Sequence, residues 1–279
     1  MTERTTWTFV ALAVVLVVAS AAIPVLVDAR PAREVPAPTV DGDLAGADAD
    51  GWEEVPTAEV PMSAAPSGLP NAESVNTRSV DVQAARTDGE VFVRLQWHDG
   101  EANRNASDPK AFSDAAAVQI PVDKTEQPAI AMGSKSNLVN VWYWTADGDT
   151  EELLAGGQGS TTAFENAPVQ TWAEYDGSGE EGTWTVVFNR EAELDSDNRT
   201  AITDENDLDI AFAVWDGAND ERSGHKAVSE WYYLPFGPGP GGAPFESILW
   251  VIAGIAIVAV VVVALQGVRR ARSEGGGGP

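Results

Sequence analysis

The sequence predicts a mainly β protein, an antiparallel β-sandwich with long loops, lying between two apolar terminal segments. Short stretches in the middle of the chain alternate apolar with polar residues, as half-buried strands do. Clusters of Gly, Asn and Asp separate these stretches, and no long apolar stripe of helical period lies between residues 50 and 235. Many short strands joined by such turns are typical of a β-sandwich.

Six segments carry the alternating pattern. In chain order they are VDVQAA at Val80, VFVRLQW at Val91, AAVQIP at Ala116, VNVWYW at Val139, TWTVVFN at Thr183 and IAFAVW at Ile210. RTDGE and YDGSGEEG read as turns near them. The stretch between the apolar ends, roughly 210 residues long, fits one domain with a single core. We therefore expect the sandwich to occupy residues 51–236.

The N-terminal segment, residues 1–27, predicts a signal peptide or a signal anchor. Its apolar run from Trp7 to Val27 has no charge and is long enough to cross a membrane. Small residues within this run leave cleavage open as an alternative. Residues 28–50 follow and are rich in Ala, Pro and Asp, which predicts an acidic tether.

The C-terminal segment predicts a transmembrane helix over residues 248–267. Its apolar run has no charge, a Gly/Pro linker over residues 237–247 precedes it, and the tail over residues 268–279 carries arginines followed by glycines. Arginines next to a membrane helix stay on the cytoplasmic side. We therefore expect a cell-membrane protein with one C-terminal helix and its sandwich on the extracytoplasmic side.

Composition excludes several classes of function. The chain has 43 acidic and 17 basic residues, for a net charge of -26. Binding to nucleic acid is not expected, because phosphate contacts need a basic surface. An acidic, lysine-poor surface is typical of proteins kept soluble in concentrated salt, which favours an extreme halophile as the source. Cysteine is absent, so disulfides, thiolate zinc sites, cysteine-bound iron–sulfur clusters and thioether-attached haem are excluded.

Motifs for hydrolytic or phosphoryl chemistry are missing. The sequence contains no GxSxG, no Walker loop and no HExxH. Histidine occurs only at His98 and His225, which gives little support to catalytic triads or multi-histidine metal sites. Carboxylates are too numerous for one acid–base pair to stand out. We therefore predict no catalytic residues.

The scarce soft and nitrogen ligands are the unusual feature. After the initiator, methionine occurs only at Met62 and Met132, and lysine occurs at four positions that include Lys226. Met132 lies in IAMGSKSNLVNVWYW, and Lys226 lies in a loop that leads into WYY. Taken alone, Met132 suits a gap-filler of the core and Lys226 a solvated loop. Taken together, they suggest the two sides of one planar cofactor.

The segments AMGSKSNLVNVWYW and FAVWDGANDERSGHKAVSEWYYLPF resemble the haem b-binding gamma subunits of the type II dimethyl sulfoxide reductase family. Those subunits accompany ethylbenzene, dimethyl sulfide, selenate, chlorate and archaeal nitrate oxidoreductases. The resemblance extends from about Asp41 to Phe236. In that family a methionine sulfur and a lysine amine bind the haem iron from opposite faces, and Met132 and Lys226 are the matching residues. The resemblance also implies a β-sandwich with haem b between sheets and loops.

Other residues have a less specific assignment. The candidate walls of the haem pocket, each of which equally suits the core, are Trp142, Trp144, Trp215 and Trp231. Arg222 is a candidate partner for a haem propionate. His98 and His225 are the competing axial ligands, but adjacent residues of an extended segment point to opposite faces, so only one of His225 and Lys226 can reach the iron.

The resemblance implies an electron-transfer subunit. It would relay electrons between a membrane quinol-oxidising cytochrome and a complex with a molybdenum-containing catalytic subunit and an iron–sulfur subunit. The family's gamma subunits are generally soluble exported proteins, whereas the membrane helix predicted here favours a tethered carrier. The alternative is a haem-free carbohydrate-binding or cell-surface interaction module, in which exposed tryptophans would bind the ligand.

Overall fold

The computed structural model describes residues 33–237, except residues 105–110, 124–126, 178, 195 and 197. The predicted N-terminal segment, transmembrane helix and cytoplasmic tail lie outside the described residues, as does nearly all of the Gly/Pro linker. Within the described ranges, no helix is both long enough and apolar enough to span a bilayer.

Thirteen strands form in the described part of the chain. They are β1 (Ala58–Pro61), β2 (Ser63–Ala64), β3 (Ser79–Arg86), β4 (Glu90–His98), β5 (Ala115–Pro121), β6 (Val139–Thr145), β7 (Thr150–Ala155), β8 (Thr161–Ala163), β9 (Gln170–Asp176), β10 (Thr183–Glu191), β11 (Leu208–Trp215), β12 (Ala227–Val228) and β13 (Tyr232–Leu234). The helical elements of the described residues are short 3₁₀ turns at Asp50–Glu54, Gly179–Glu181 and Gly217–Asn219.

The strands form two antiparallel sheets. The smaller sheet has the order β1-β3-β4-β10-β9, and the larger sheet has the order β2-β12-β11-β5-β6-β7-β8, with β13 also paired to β11. The predicted antiparallel β-sandwich is confirmed. All six segments with alternating residues lie in strands, namely β3, β4, β5, β6, β10 and β11.

The main core lies between the two sheets and takes one face of the strands β3, β4, β5, β6, β10 and β11. Val82 and Val93 of the smaller sheet share this core with Val118 and Phe212 of the larger sheet. Because successive side chains of a strand point to opposite faces, the neighbours of Val118 and Phe212 point away from the core. On the outer face of the larger sheet these neighbours form a second apolar cluster.

Residues 33–50 lie against the sandwich in place of a free tether. Val40 and Leu44 are buried in a third apolar cluster, on the outer face of the smaller sheet, together with Phe92. The Val40 amide donates a hydrogen bond to the Arg86 carbonyl (2.9 Å). The segment packs on the sandwich because apolar residues are spaced among its prolines and aspartates and the smaller sheet offers them an apolar surface.

Candidate functional site

A cavity of about 820 Å³ lies on the outer face of the larger sheet. Its floor comes from the neighbouring strands β5 and β11, whose outward residues at the cavity are Ala115, Ala117, Gln119, Ala211, Ala213 and Trp215. Alanine side chains at four adjacent positions leave a flat, apolar surface with open space above it. A cavity of this size lies within the usual range for sites that bind organic cofactors.

Met132 and Lys226 meet in this cavity from two different loops. Met132 lies in the loop between β5 and β6, and Lys226 immediately precedes β12. The Lys226 Nζ atom lies 3.9 Å from the Met132 Sδ atom. It also lies 4.6 Å from the centroid of the Trp215 ring. The structure thus brings together the two residues that the sequence singles out, although 94 positions separate them.

The position of the Lys226 amine changes its proton affinity. Burial strips water from the charged form and lowers the pKa of Lys226 to about 8, from an ordinary value of 10.5. A neutral amine has a free lone pair, and an ammonium has none. At pH values near neutral, Lys226 therefore loses its proton to water, and offers its lone pair to a Lewis acid, far more readily than an exposed lysine does.

The four candidate tryptophans divide into two groups. Trp215 lines the cavity, and Trp231 belongs to the same outer cluster, where its indole Nε1 donates a hydrogen bond to the Pro128 carbonyl (2.9 Å). Trp142 and Trp144 lie in the main core between the sheets, on the opposite face of β6. The cavity wall on that strand comes from Tyr143 instead.

Arg222 lies at the cavity with its side chain exposed. Its guanidinium carbon is 4.3 Å from the centroid of the Phe112 ring, and both residues line the cavity. A cation at an exposed rim can pair with an anionic group while the rest of a ligand lies on the apolar floor.

The two histidines lie elsewhere. His225 Nε2 forms a hydrogen bond with the Ser74 carbonyl (2.8 Å), and His225 points away from Lys226 as the alternation of an extended segment requires. His98 ends β4 in the smaller sheet, where Nδ1 forms a hydrogen bond with the Gly182 carbonyl (2.7 Å). Neither imidazole is among the groups that line the cavity.

A buried carboxylate cluster next to the site had no signal in the sequence. Oxygen atoms of Asp99, Asp114 and Asp216 lie within 4.8 Å of one another, and all three residues are buried. Asp114 accepts a hydrogen bond from the Gly217 amide (2.8 Å), and Asp216 accepts one from the Asn219 amide (3.2 Å). These bonds fix the start of the loop that carries Lys226. Burial, and the nearby carboxylate charges, raise the pKa of Asp99 to about 7 and that of Asp114 to about 6.

The residues of the cavity suit a haem. Metal bonds to nitrogen and sulfur are about 2.0–2.3 Å long, so the 3.9 Å between Lys226 Nζ and Met132 Sδ is close to the span of one metal atom bound by both. The alanine floor leaves room for a flat apolar group, and Arg222 supplies a positive charge at the rim. The cavity lies between the outer face of the larger sheet and loops, which is the kind of place that the resemblance implies for the haem.

Comparison with known proteins gives the family. The family model described as ethylbenzene dehydrogenase matches residues 49–179 and 162–227, which include Met132 and Lys226. A proposed heme subunit of respiratory nitrate reductase from Haloferax mediterranei is 51% identical over 271 residues, which are 96% of this chain and 97% of that protein.

Two bacterial proteins are also similar along most of their length. The gamma subunit of chlorate reductase from Ideonella dechloratans is 36% identical over 70% of this chain and 81% of its own. The gamma subunit of dimethylsulfide dehydrogenase from Rhodovulum sulfidophilum is 32% identical over 69% of this chain and 76% of its own.

Among solved structures, a family 9 carbohydrate-binding module from Caldicellulosiruptor kristjanssonii with cellotriose has a TM-score of 0.42 at 12% identity, covering 70% of this chain and 82% of its own. The family follows from the sequence matches alone. The chain belongs to the ethylbenzene dehydrogenase family, among the haem-binding gamma subunits of the type II dimethyl sulfoxide reductase enzymes.

Proposed function

We propose that this chain is a haem b electron-transfer subunit and that Met132 and Lys226 are the two axial ligands of its iron. The observation that carries the assignment is the 3.9 Å approach of Lys226 Nζ to Met132 Sδ inside an apolar cavity. Bound haem b supplies one-electron chemistry at its iron, which is the chemistry that an electron relay needs.

The two proposed ligands have complementary properties. The Met132 thioether is neutral and soft, which favours ferrous over ferric iron and raises the reduction potential. The Lys226 amine binds a metal only when deprotonated, and burial has already lowered its pKa to about 8. A buried ammonium is costly without a partner, so a metal that takes the proton's place relieves that cost.

The other residues of the cavity would hold the haem and set its orientation. The alanine floor and Trp215 exclude water from one side of the ligand, and the low polarity there strengthens the effect of each nearby charge. Arg222, exposed at the rim, is the proposed partner of a propionate. Trp231 belongs to the outer cluster beside the floor and donates a hydrogen bond to Pro128, in the loop that carries Met132.

The partners follow from the family. The chain delivers electrons to, or takes them from, a complex with a molybdenum-containing catalytic subunit and an iron–sulfur subunit, as its nitrate reductase, chlorate reductase and dimethylsulfide dehydrogenase relatives support. We assign the other end of the relay to a membrane quinol-oxidising cytochrome. The apolar terminal segments support a tether to the cell membrane with the sandwich on the extracytoplasmic side, and the acidic composition supports work in high salt.

Carbohydrate binding finds no support at the surface that the structure describes. That alternative needs exposed tryptophans, yet Trp172 is half-buried and the other seven tryptophans of the described residues are buried. Leu69 is the exposed large apolar side chain there.

Haem binding and reversible reduction test the function together. The full chain, expressed with haem and purified in high salt, is expected to hold one haem per chain and to show a sharp b-type α band after reduction. Reoxidation should restore the original spectrum without loss of haem. A folded chain that takes up no haem, or one whose haem is not reducible, would contradict the proposal.

A further inference from the structure

The backbone of Met132 has an unusual conformation. Its φ is +67°, in the left-handed region that few residues other than glycine adopt. The residue lies in a tight turn, in which the Met132 amide donates to the Ile130 carbonyl and the Gly133 amide donates to the Ala129 carbonyl (both 2.9 Å). A long, branchless residue has no intrinsic reason to prefer this conformation, so the surroundings must impose it.

The group that holds the Met132 carbonyl comes from a different part of the larger sheet. The Gly157 amide donates a hydrogen bond of 2.8 Å to the Met132 carbonyl. Gly157 lies in the turn between β7 and β8, residues 156–160, at a φ of +116° that side chains rarely allow. Glycine at this position lets the amide point at Met132.

The β7–β8 turn is itself rigid. The Ser160 hydroxyl accepts a hydrogen bond from the Gly156 amide (3.0 Å) and donates one to the Gly157 carbonyl (2.8 Å). The Ser160 amide also reaches the Gly157 carbonyl (3.2 Å). Three bonds within five residues therefore fix the direction of the Gly157 amide that contacts Met132.

We propose that Gly157 is a positioning residue for the axial methionine: its amide locks the left-handed backbone of Met132 and so aims the sulfur at Lys226. Methionine has three rotatable bonds and a weak metal affinity compared with imidazole, so a free loop would let it leave the iron. A fixed Cα–Cβ direction reduces that freedom before any ligand binds. The inference rests on the proposed haem function and adds the residue that holds one ligand in place.

The test replaces Gly157 by alanine and compares it with a matched control. An added Cβ at Gly157 would meet only the Gly133 carbonyl oxygen, at 3.9 Å, so Gly157→Ala perturbs the backbone without a clash. Gly148, in the β6–β7 turn, has a similar φ of +107°, and a Cβ there would meet nothing within 4 Å. Gly148→Ala therefore imposes comparable backbone strain without touching the Met132 loop.

Two readouts on the full haem-loaded chain distinguish positioning from folding. We expect Gly157→Ala to keep its haem but to shift the equilibrium from bound to released methionine by about tenfold, as strain of this kind does. The sulfur-to-iron charge-transfer absorption of the oxidised protein should weaken accordingly, and carbon monoxide should bind faster to the reduced protein. Gly148→Ala should match the unmodified chain in both readouts.

The outcomes separate the inference from the function on which it rests. Equal charge-transfer absorption and equal carbon monoxide binding in Gly157→Ala and Gly148→Ala would overturn the role of Gly157, while a wild-type chain without haem would overturn the function itself. If Gly157→Ala fails to fold, Ser160→Ala loosens the same turn, and it should show a smaller change of the same kind. An unchanged Ser160→Ala spectrum would then count against the proposal.

Discussion

At the scale of single residues, Lys226 shows how a fold changes the chemistry of one side chain. Its half-buried amine lies beside the Trp215 ring and the Met132 sulfur, and the pKa of Lys226 falls to about 8. An amine in this position destabilises the haem-free protein, and in the proposed haem-loaded protein it is available to bind iron. The stability of the haem-free chain can reveal that cost directly.

Replacing Lys226 by methionine should stabilise the haem-free chain at pH 7. The native state holds the proton of Lys226 less tightly than the unfolded state, so its burial destabilises the fold fully below pH 8. Between pH 8 and 10.5 the native state has lost this proton while the unfolded state still holds it, so the unmodified chain gains stability as pH rises, and its difference from Lys226→Met should shrink towards zero. Denaturant unfolding across this pH range measures the effect, with the exposed Lys135→Met as the control.

Single residues also show which parts of the candidate site can be predicted from the sequence. Met132 and Lys226 belong to rare residue types in this chain, so rarity and family resemblance were enough to name them. Trp142 and Trp144 share one face of β6 by alternation, but both faces of that strand are apolar. Alternation alone therefore does not indicate that the cavity lies on the Tyr143 side of β6.

At the scale of elements, the site depends on the outer faces of β5 and β11. The inner faces of these strands carry Val118 and Phe212 into the main core, and the outer faces carry alanines into the cavity. The sequence shows this alternation. It does not show that the outward alanines line a cavity, because alanines next to core residues are equally typical of a strand packed closely under another layer.

Replacing Ala117 by phenylalanine should block haem uptake and leave the sandwich folded. The new ring would enter the cavity of about 820 Å³, where it displaces a ligand but overpacks no buried neighbour. Haem per chain should fall well below that of the control Ala163→Phe, in which the ring is added to the exposed strand β8. Full haem content in Ala117→Phe with an unchanged spectrum would show that the ligand binds elsewhere.

At the scale of the whole molecule, the described residues form three apolar clusters that are stacked through the two sheets. The segment 33–50 covers one outer face, the main core lies between the sheets, and the cavity loops cover the other outer face. Strands β3, β4, β5, β6, β10 and β11 were predictable from alternation, but β7 and β9 were not, because TEELLA and QTWAEYD carry polar or charged residues on partly exposed strands. The packing of residues 33–50 depends on a surface that only the folded sandwich creates.

Asp99 makes the stability of the whole molecule pH-dependent. Burial raises the pKa of Asp99 to about 7, so the native state retains this proton where the unfolded state, with a value near 3.8, has lost it. Stability from this group is therefore greatest at low pH and falls as pH rises through that window. Asp99→Asn keeps an acceptor for the Glu101 amide (3.1 Å) and should stabilise the chain at pH 8 but hardly at pH 4.

Unfolding in high salt at both pH values measures this difference. The exposed Asp88→Asn serves as the control because it removes a surface charge of the same type. An Asp99→Asn variant that is no more stable than the unmodified chain at pH 8 would show that the carboxylate is not costly in the native state.

The identity of the axial ligands is the central claim, and near-infrared magnetic circular dichroism of the oxidised, haem-loaded full chain tests it most directly. The charge-transfer band of low-spin ferric haem depends on the pair of ligands, so a methionine–amine pair is distinguishable from pairs that contain histidine. We predict a methionine–amine signature that Met132→Ala and Lys226→Ala each abolish and His225→Ala preserves. A histidine signature, or one that persists in both Met132→Ala and Lys226→Ala, would contradict the assignment.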